Sequence, residues 1–173
     1  MAKYIIVGGF KVWHHASMNG GAATGNPLVG VISDTHGRLP RWVFEHFRGV
    51  DLILHAGDIG HPKVIAELEA LAPVVAVPGN SDRGAWAWEM PLSRCVTAGG
   101  RRILLVHDLA GMPDPPPGTA VVVHGHTHRS GSEYKDGVLY LNPGSPVRPR
   151  GEHPSIARLR PTQNPPQAEI IRL

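Results

Sequence analysis

Apolar residues in this chain come in short runs broken by Gly, Pro, Asp and Asn, and their rhythm changes halfway along. Leu28 to Ser33, Asp51 to His55 and Val74 to Val77 are rich in β-branched residues, which predicts buried strands. Pro40 and Pro62 open helical patterns between them, at a position where the missing N–H costs nothing. Trp42, Val43, His46 and Phe47 form one inner face, and Gly49 ends that helix. Val64, Ile65, Leu68 and Leu71 form the second, with Glu67 and Glu69 outward and Pro73 as the stop. The order β-α-β-α-β predicts parallel strands with right-handed crossovers. The later half reads as strands with few helices. Gly99-Gly100 joins Arg94–Ala98 to Arg101–His107, and Asp136-Gly137 joins Glu133–Lys135 to Val138–Leu141, both as hairpins. Met112 to Gly118 is a proline-rich loop, Ala120 to His124 a strand, and Ser155–Leu159 with Ala168–Leu173 a terminal hairpin. This half predicts a second, mixed sheet packed on the first.

Residues 1–27 differ from the rest. Tyr4 to Val7 has strand character ended by Gly8-Gly9, and Ser17 to Pro27 is small, polar and Gly-rich, as linkers are. Lys3 before an apolar patch gives a faint signal-peptide pattern, which Gly8, Gly9 and Lys11 break. The segment is read as a flexible or vector-derived leader, with His14-His15 as linker, and 28–173 as a single domain.

Composition narrows the class. A chain of 173 residues, 42% hydrophobic and 18% charged, can bury a core as one domain, and Gly 21 with Pro 17 favours turns over long helices. No apolar run approaches the roughly 18 residues of a membrane-spanning helix. Cys95 is the single cysteine, which rules out an internal disulfide and suits a reducing cytoplasm. The net charge of +3 is spread without a basic tract, so no groove for long nucleic acid is expected. Eleven histidines is the odd count.

Polar motifs follow the apolar runs: Asp34-Thr35-His36, Gly57-Asp58, Gly79-Asn80, His107, and His124-Gly125-His126-Thr127-His128. An α/β sheet binds ligands just outside the carboxyl ends of its strands, so these groups are expected at one edge. Residues two apart on an extended stretch point the same way, so Asp34 and His36 can both reach one ion, and His126 and His128 repeat that two-apart geometry. Gly57 permits a tight turn before Asp58, whose two oxygens suit it to bridge two cations. Asn80 adds a neutral carbonyl oxygen. Each motif alone is common on ordinary strands; their joint occurrence at strand ends points to a metal site with two ions. Two divalent ions against Asp34 and Asp58 leave an excess of about +2, which attracts phosphate and lowers the pKa of bound water to roughly 7.

These residues, with Ser33-Asp34-Thr35-His36-Gly37, His55-Ala56-Gly57-Asp58, Pro78-Gly79-Asn80-Ser81-Asp82, Gly125-His126-Thr127-His128 and Leu141-Asn142-Pro143-Gly144-Ser145, resemble the calcineurin-like metallophosphoesterases, in particular their small prokaryotic phosphodiesterase branch. The resemblance covers Leu28 to about Arg160. It implies an α/β fold, an αββα sandwich of two mixed β-sheets flanked by helices, and hydrolysis of phosphoesters by a metal-bridging hydroxide. Carried over by motif, one ion takes Asp34, His36, Asp58 and His128, and the other takes Asp58, Asn80, His107 and His126. Asp58 and Asn80 are the expected catalytic core. Nitrogen and oxygen ligands without thiolate suit Mn2+, the metal favoured here, as well as Fe, Zn, Co or Ni.

Two departures from the family stand out. Ser81 occupies the place where many members carry a general-acid histidine, which predicts a preference for activated leaving groups, or a proton supplied by metal-bound water. Asp108 follows His107 where this branch usually has Gly-His, which removes an imidazole and adds a negative charge, so weaker phosphate binding or altered substrate choice is expected. Asp82 is a candidate to orient a ligand imidazole. Arg83 and Arg129 are candidates to hold phosphate oxygens, though exposed loop arginine is the commoner role. His55 and His124 divide evenly between core and site. Trp86 and Trp88 are candidates to wall the pocket, with packing the commoner role. Asn142 to Ser145 reads as a structural turn near the metals.

The expectation is a cytoplasmic two-metal phosphodiesterase acting on small phosphodiesters, without membrane or long nucleic acid and with a homodimer as the base-rate assembly. A phosphomonoesterase of the same fold is the competing reading. A protein-interaction scaffold, as in the eukaryotic retromer coat, is disfavoured because every ligand position is filled.

Overall fold

The computed structural model describes Tyr4–Val7, Phe10–Trp13, residues 25–110, Met112 and residues 114–173. Strands β1 (Tyr4–Val7) and β2 (Phe10–Trp13) pair antiparallel as a small sheet. The strand expected at Tyr4 to Val7 is present, with a partner that sequence reading did not assign. The linker expected over Ser17 to Pro27 lies outside the described residues as far as Thr24.

Two five-stranded sheets follow. Strands β3 (Val29–Ile32), β4 (Leu52–Ala56) and β5 (Val74–Val77) run parallel, joined by helices α1 (Arg41–His46) and α2 (Pro62–Glu69). After α3 (Ala85–Trp88) come β6 (Ser93–Ala98), β7 (Arg101–Val106), β8 (Thr119–Val123), β9 (Gly131–Lys135) and β10 (Val138–Asn142). Their order is β6-β7-β8-β10-β9, with a parallel centre and antiparallel edges. Both hairpin turns have the positive φ their residues suit: Gly99 and Gly100 at 55° and 74°, Asp136 and Gly137 at 52° and 79°.

The terminal hairpin, β11 (Ser155–Arg160) and β12 (Gln167–Arg172), pairs as expected but joins the first sheet, giving the order β12-β11-β3-β4-β5. The reason is that β11 carries apolar side chains for both cores of that sheet, and its Arg158 Nε donates to His46 O at 2.8 Å beside the first helix. Ala157 and Leu159 enter the core between the sheets, and Ile156 enters the core under the helices. β11 also satisfies the backbone edge of β3, which parallel pairing to β4 leaves open.

Alternation of side chains gives each sheet two apolar faces. Val31, Leu54 and Val77 meet Ile103, Leu105, Val123 and Leu141 in the central core, all fully buried. On the outer face of the first sheet, Ile32 and Ile53 pack under Val43 and Phe47 of the first helical segment and Val64 and Leu68 of α2. Gly30 makes this possible: a Cβ there would sit 3.2 Å from the Phe47 ring. The outer face of the second sheet carries Leu104, Val106 and Val122, covered by Leu109 and Met112 of the following loop. Among the described residues the packing on that face comes from this loop, while α1 and α2 pack on the outer face of the first sheet. No helix among the described residues is long and apolar enough to cross a membrane.

Gly30→Val should lower stability by about 1–3 kcal/mol, because extra methyls in a packed site force the ring away. The check is the urea midpoint, with Phe47→Leu in the same background relieving part of the loss. An unchanged midpoint would show that the ring has room to move.

Candidate metal centre

Every predicted ligand lies in a loop just past a strand, and five of them have left-handed backbone. Asp34, His36, Asp58, His126 and His128 have φ between 45° and 67°, and the only other non-glycine residue like them among the described residues is Asp136. Such φ values are strained for most residues and collect at functional sites. Extended-strand geometry therefore does not bring Asp34 to His36, and His126 and His128 turn to different partners, Asn80 and Asp34. β3 stops at Ile32 and β8 at Val123, and the left-handed residues turn their side chains inward.

Backbone bonds hold the loops in that shape. Asp34 N, His36 N and Gly37 N donate to Gly57 O, Asp58 O and Ile59 O at 2.9, 2.9 and 2.7 Å. Gly125 N donates to His107 O at 2.9 Å and ties the second sheet's loops together. Two glycines are required by close approach. A Cβ on Gly57 would lie 2.6 Å from His107 Nδ1, and one on Gly79 would lie 2.1 Å from Asp58 Oδ1.

The side chains form two clusters that share Asp58. In the first, ligand atoms of Asp34, His36, Asp58 and His128 all lie within 4.8 Å of one another. His36 Nε2 is 3.3 Å from His128 Nε2, and His128 Nε2 is 3.3 Å from Asp34 Oδ1. In the second, Asn80 Oδ1 is 3.0 Å from both His107 Nε2 and His126 Nδ1. Asp58 Oδ2 lies 3.9 Å from His36 Nε2, and its Oδ1 lies 3.6 Å from His107 Nε2.

These residues fit a divalent cation. Asp34 Oδ1 is buried without a hydrogen-bond partner, an arrangement that costs free energy unless a cation meets it. His107 Nδ1 is 2.7 Å from Ala56 O and His128 Nδ1 is 2.6 Å from Arg148 O. A carbonyl only accepts, so each ring donates from Nδ1 and turns the Nε2 lone pair to its cluster. For His126 the inward atom is Nδ1, while its Nε2 lies 3.7 Å from Asp108 Oδ2.

Electrostatics separates the two carboxylates. Burial pushes the Asp34 carboxyl up to about 6, against the nearby His107 and the bond from His126 N. Burial acts on Asp58 too, but the hydrogen bond from Ser81 N, with His107 and His36 nearby, holds it below the usual range. Burial lowers His36, with Asp58 opposing and Arg148 adding to the effect. His55 is fully buried and pushed down to about 3 by that burial. The Thr35 hydroxyl donates to Ile59 O at 3.0 Å, so His55 Nε2 donates to Thr35 at 2.9 Å and fixes the neutral tautomer. His55 thus braces the Asp34–His36 loop. His124 is half-buried, lowered by burial, and lines a cavity of about 240 Å³ beside Arg129.

Other candidates take different places. Asp82 bonds no imidazole: it accepts from the backbone N–H groups of Ile59, Gly60 and Gly79 at 3.1, 2.7 and 2.8 Å and clamps the Asp58 loop to the Asn80 loop. Arg83 Nη1 donates to Asn80 O and Asp82 O, so it braces the same loop. Ser81 N donates to Asp58 Oδ1 at 2.8 Å. Trp86 packs into the core under the helices, and Trp88 is 76% exposed. Sequence reading gave too little weight to the turn after β10. Asn142 Nδ2 donates to Gly125 O and Thr127 Oγ1 at 2.8 and 3.0 Å, and Ser145 Oγ donates to Asp34 O at 2.7 Å. This turn clamps ligand loops from both sheets. The Asn-Pro-Gly-Ser motif was the available signal.

The raised Asp34 pKa has a definite sign. Its protonated form is favoured by the fold, so its contribution to the stability of metal-free protein is full below about pH 4 and lost as pH rises through about 6. Asp34→Asn should therefore raise the melting temperature of metal-free protein at pH 8, by an amount worth about 1–2 kcal/mol, and should remove metal binding. In the wild type, metal affinity should fall as pH drops through about 6, because the ion must displace the Asp34 proton. Calorimetric titration across pH 5–8 measures this, and a flat affinity would count against the ligand role. Asn142→Ala should loosen both clamped loops and lower metal affinity by roughly 10–100-fold, the usual loss for an outer partner.

Comparison with known proteins places this arrangement. Residues 28–164 match the family model of the calcineurin-like phosphoesterase superfamily domain. A probable metallophosphoesterase of Methanothermobacter thermautotrophicus is 41% identical over 159 residues, covering 84% of this chain and 92% of that protein. A phosphodiesterase of Methanocaldococcus jannaschii is 31% identical over 142 residues, covering 67% of this chain and 82% of that protein. The solved structure of an archaeal phosphodiesterase superposes with a TM-score of 0.69 at 27% identity, covering 84% of this chain and 99% of that one. A two-sheet sandwich with a nitrogen and oxygen cluster at its strand ends, together with these matches, makes the chain a member of the calcineurin-like metallophosphoesterase family.

Proposed function

We propose that this chain is a two-metal phosphodiesterase that hydrolyses small phosphodiesters. The carrying observation is Asp58, whose two oxygens face two different clusters, 3.9 Å from His36 Nε2 and 3.6 Å from His107 Nε2. Asp34, His36, Asp58 and His128 would hold one divalent ion, and Asp58, Asn80, His107 and His126 the other, with manganese favoured among metals that suit such ligands. Bound there, the ions supply Lewis-acid activation of water and charge stabilisation on the phosphoryl oxygens.

The protein's own part is positional. Asp58 is held below the usual carboxylate range despite its burial, by the Ser81 N–H bond together with His107 and His36. Ser81 presents only an aliphatic hydroxyl at the usual acid position, and such a group is too weak an acid to protonate a leaving group well. This supports a preference for acidic leaving groups. Asp108 adds a third carboxylate, with Oδ2 3.7 Å from His126 Nε2. The excess charge of two divalent ions falls with it from about +2 to about +1, which favours the singly charged diester over the doubly charged monoester.

The test is hydrolysis of bis(p-nitrophenyl) phosphate and p-nitrophenyl phosphate by metal-stripped protein with Mn2+ restored. The diester should be the better substrate, and Asp58→Ala and Asn80→Ala should each lose more than the roughly 10–100-fold typical of an outer metal partner. Faster monoester turnover would favour the phosphomonoesterase, and turnover surviving both substitutions would remove the metal centre from the reaction.

A further inference from the structure

A second concavity of about 440 Å³ is lined by Arg129, Ser130, Gly151, Glu152, His153 and Arg172. Strand register locates it. Ala157 pairs with Val31 and Ser155 with Arg172, so Arg172 ends β12 level with the exit of β3 into Asp34. β12 is two strands from β3, a lateral distance of about 10 Å at the usual strand spacing. The opposite wall belongs to the metal loop. Arg129 follows His128, and Arg150 N donates to His128 O at 3.0 Å, so the segment carrying 151–153 hangs from a ligand residue.

The charges in this cavity are uncommitted. Among the described residues, Lys63 with Glu67 is the one ion pair that involves a lysine or arginine. Neither the Arg129 nor the Arg172 guanidinium has a hydrogen-bond partner among them. Glu152 offsets one of the two charges, and the Ser130 hydroxyl adds a donor. Two guanidinium groups lining one concavity match the oxygens of a phosphate.

We infer that this cavity seats a second phosphate of the substrate, carried on the group esterified to the scissile phosphodiester. The inference rests on the phosphodiesterase reading and narrows it: the substrate class becomes small diesters that bear a further phosphate. The volume has room for the phosphate and part of the group that carries it. Arg129 then serves the distal phosphate, not the one being cleaved.

The test uses a matched pair, thymidine 5′-(p-nitrophenyl phosphate) with and without a 3′-phosphate, and the metal-loaded protein. The 3′-phosphate should raise kcat/KM by about 10–100-fold, the range of hydrogen bonds to a charged group, chiefly through KM. Arg172→Ala should remove most of that gain and Arg172→Glu should reverse it, both leaving the parent diester unchanged. Equal rates on the two compounds, or a gain that survives Arg172→Glu, would overturn the inference. If neither compound is cleaved, the phosphodiesterase reading fails separately. Calorimetric titration with inorganic phosphate then decides the cavity: one more phosphate bound per wild-type chain than per Arg172→Glu chain supports it, and equal binding overturns it.

Discussion

Asp34 is a carboxylate without solvent exposure, set where two sheets and three loops meet, and the rest of the site is arranged around it. Its backbone N–H is spent on Gly57, its carbonyl on Ser145, and its Oδ2 on His126 N. One oxygen is left without a hydrogen-bond partner, aimed at His128 Nε2. Burial raises the cost of ionising this group, and an unmatched buried acceptor raises it further. A fold keeps such a residue when a cation repays the cost.

Strain follows the same logic. A single left-handed non-glycine residue costs on the order of 1–3 kcal/mol, and here five occur within one small region. Conformations of that kind persist only when their surroundings over-determine them. The Asp82 carboxylate does so between two loops by three backbone bonds, and Asn142 with Ser145 does so between the sheets. The parts farthest from the chemistry, a buried neutral imidazole at His55 and the turn after β10, serve to keep the ligand loops in place.

Strand runs, proline-started helices and both tight hairpins were legible because each is a local property of residue type and spacing. The family was legible for the same reason, since its motifs are short and contiguous. What the sequence hid was non-local. The terminal hairpin's choice of sheet depends on which of two cores has room for Ala157 and Ile156, and no pattern within β11 states that. The convergence of Asp34 with His36 was anticipated for the wrong reason, because a left-handed turn and an extended strand can bring the same two side chains together. Asp82 looked like a partner for an imidazole and is a backbone clamp, a distinction set by loops more than twenty residues apart in sequence.

The first cluster joins His36 to His128, residues 92 positions apart and delivered by different sheets. An ion held there is a cross-link between the two layers of the sandwich as well as a reagent. Neither sheet can separate from the other without surrendering it, so the free energy of metal capture is also adhesion between the layers. The unfolding barrier of the protein would then depend on the occupancy of a few ångströms at one edge, far from most of the apolar surface that the sandwich buries.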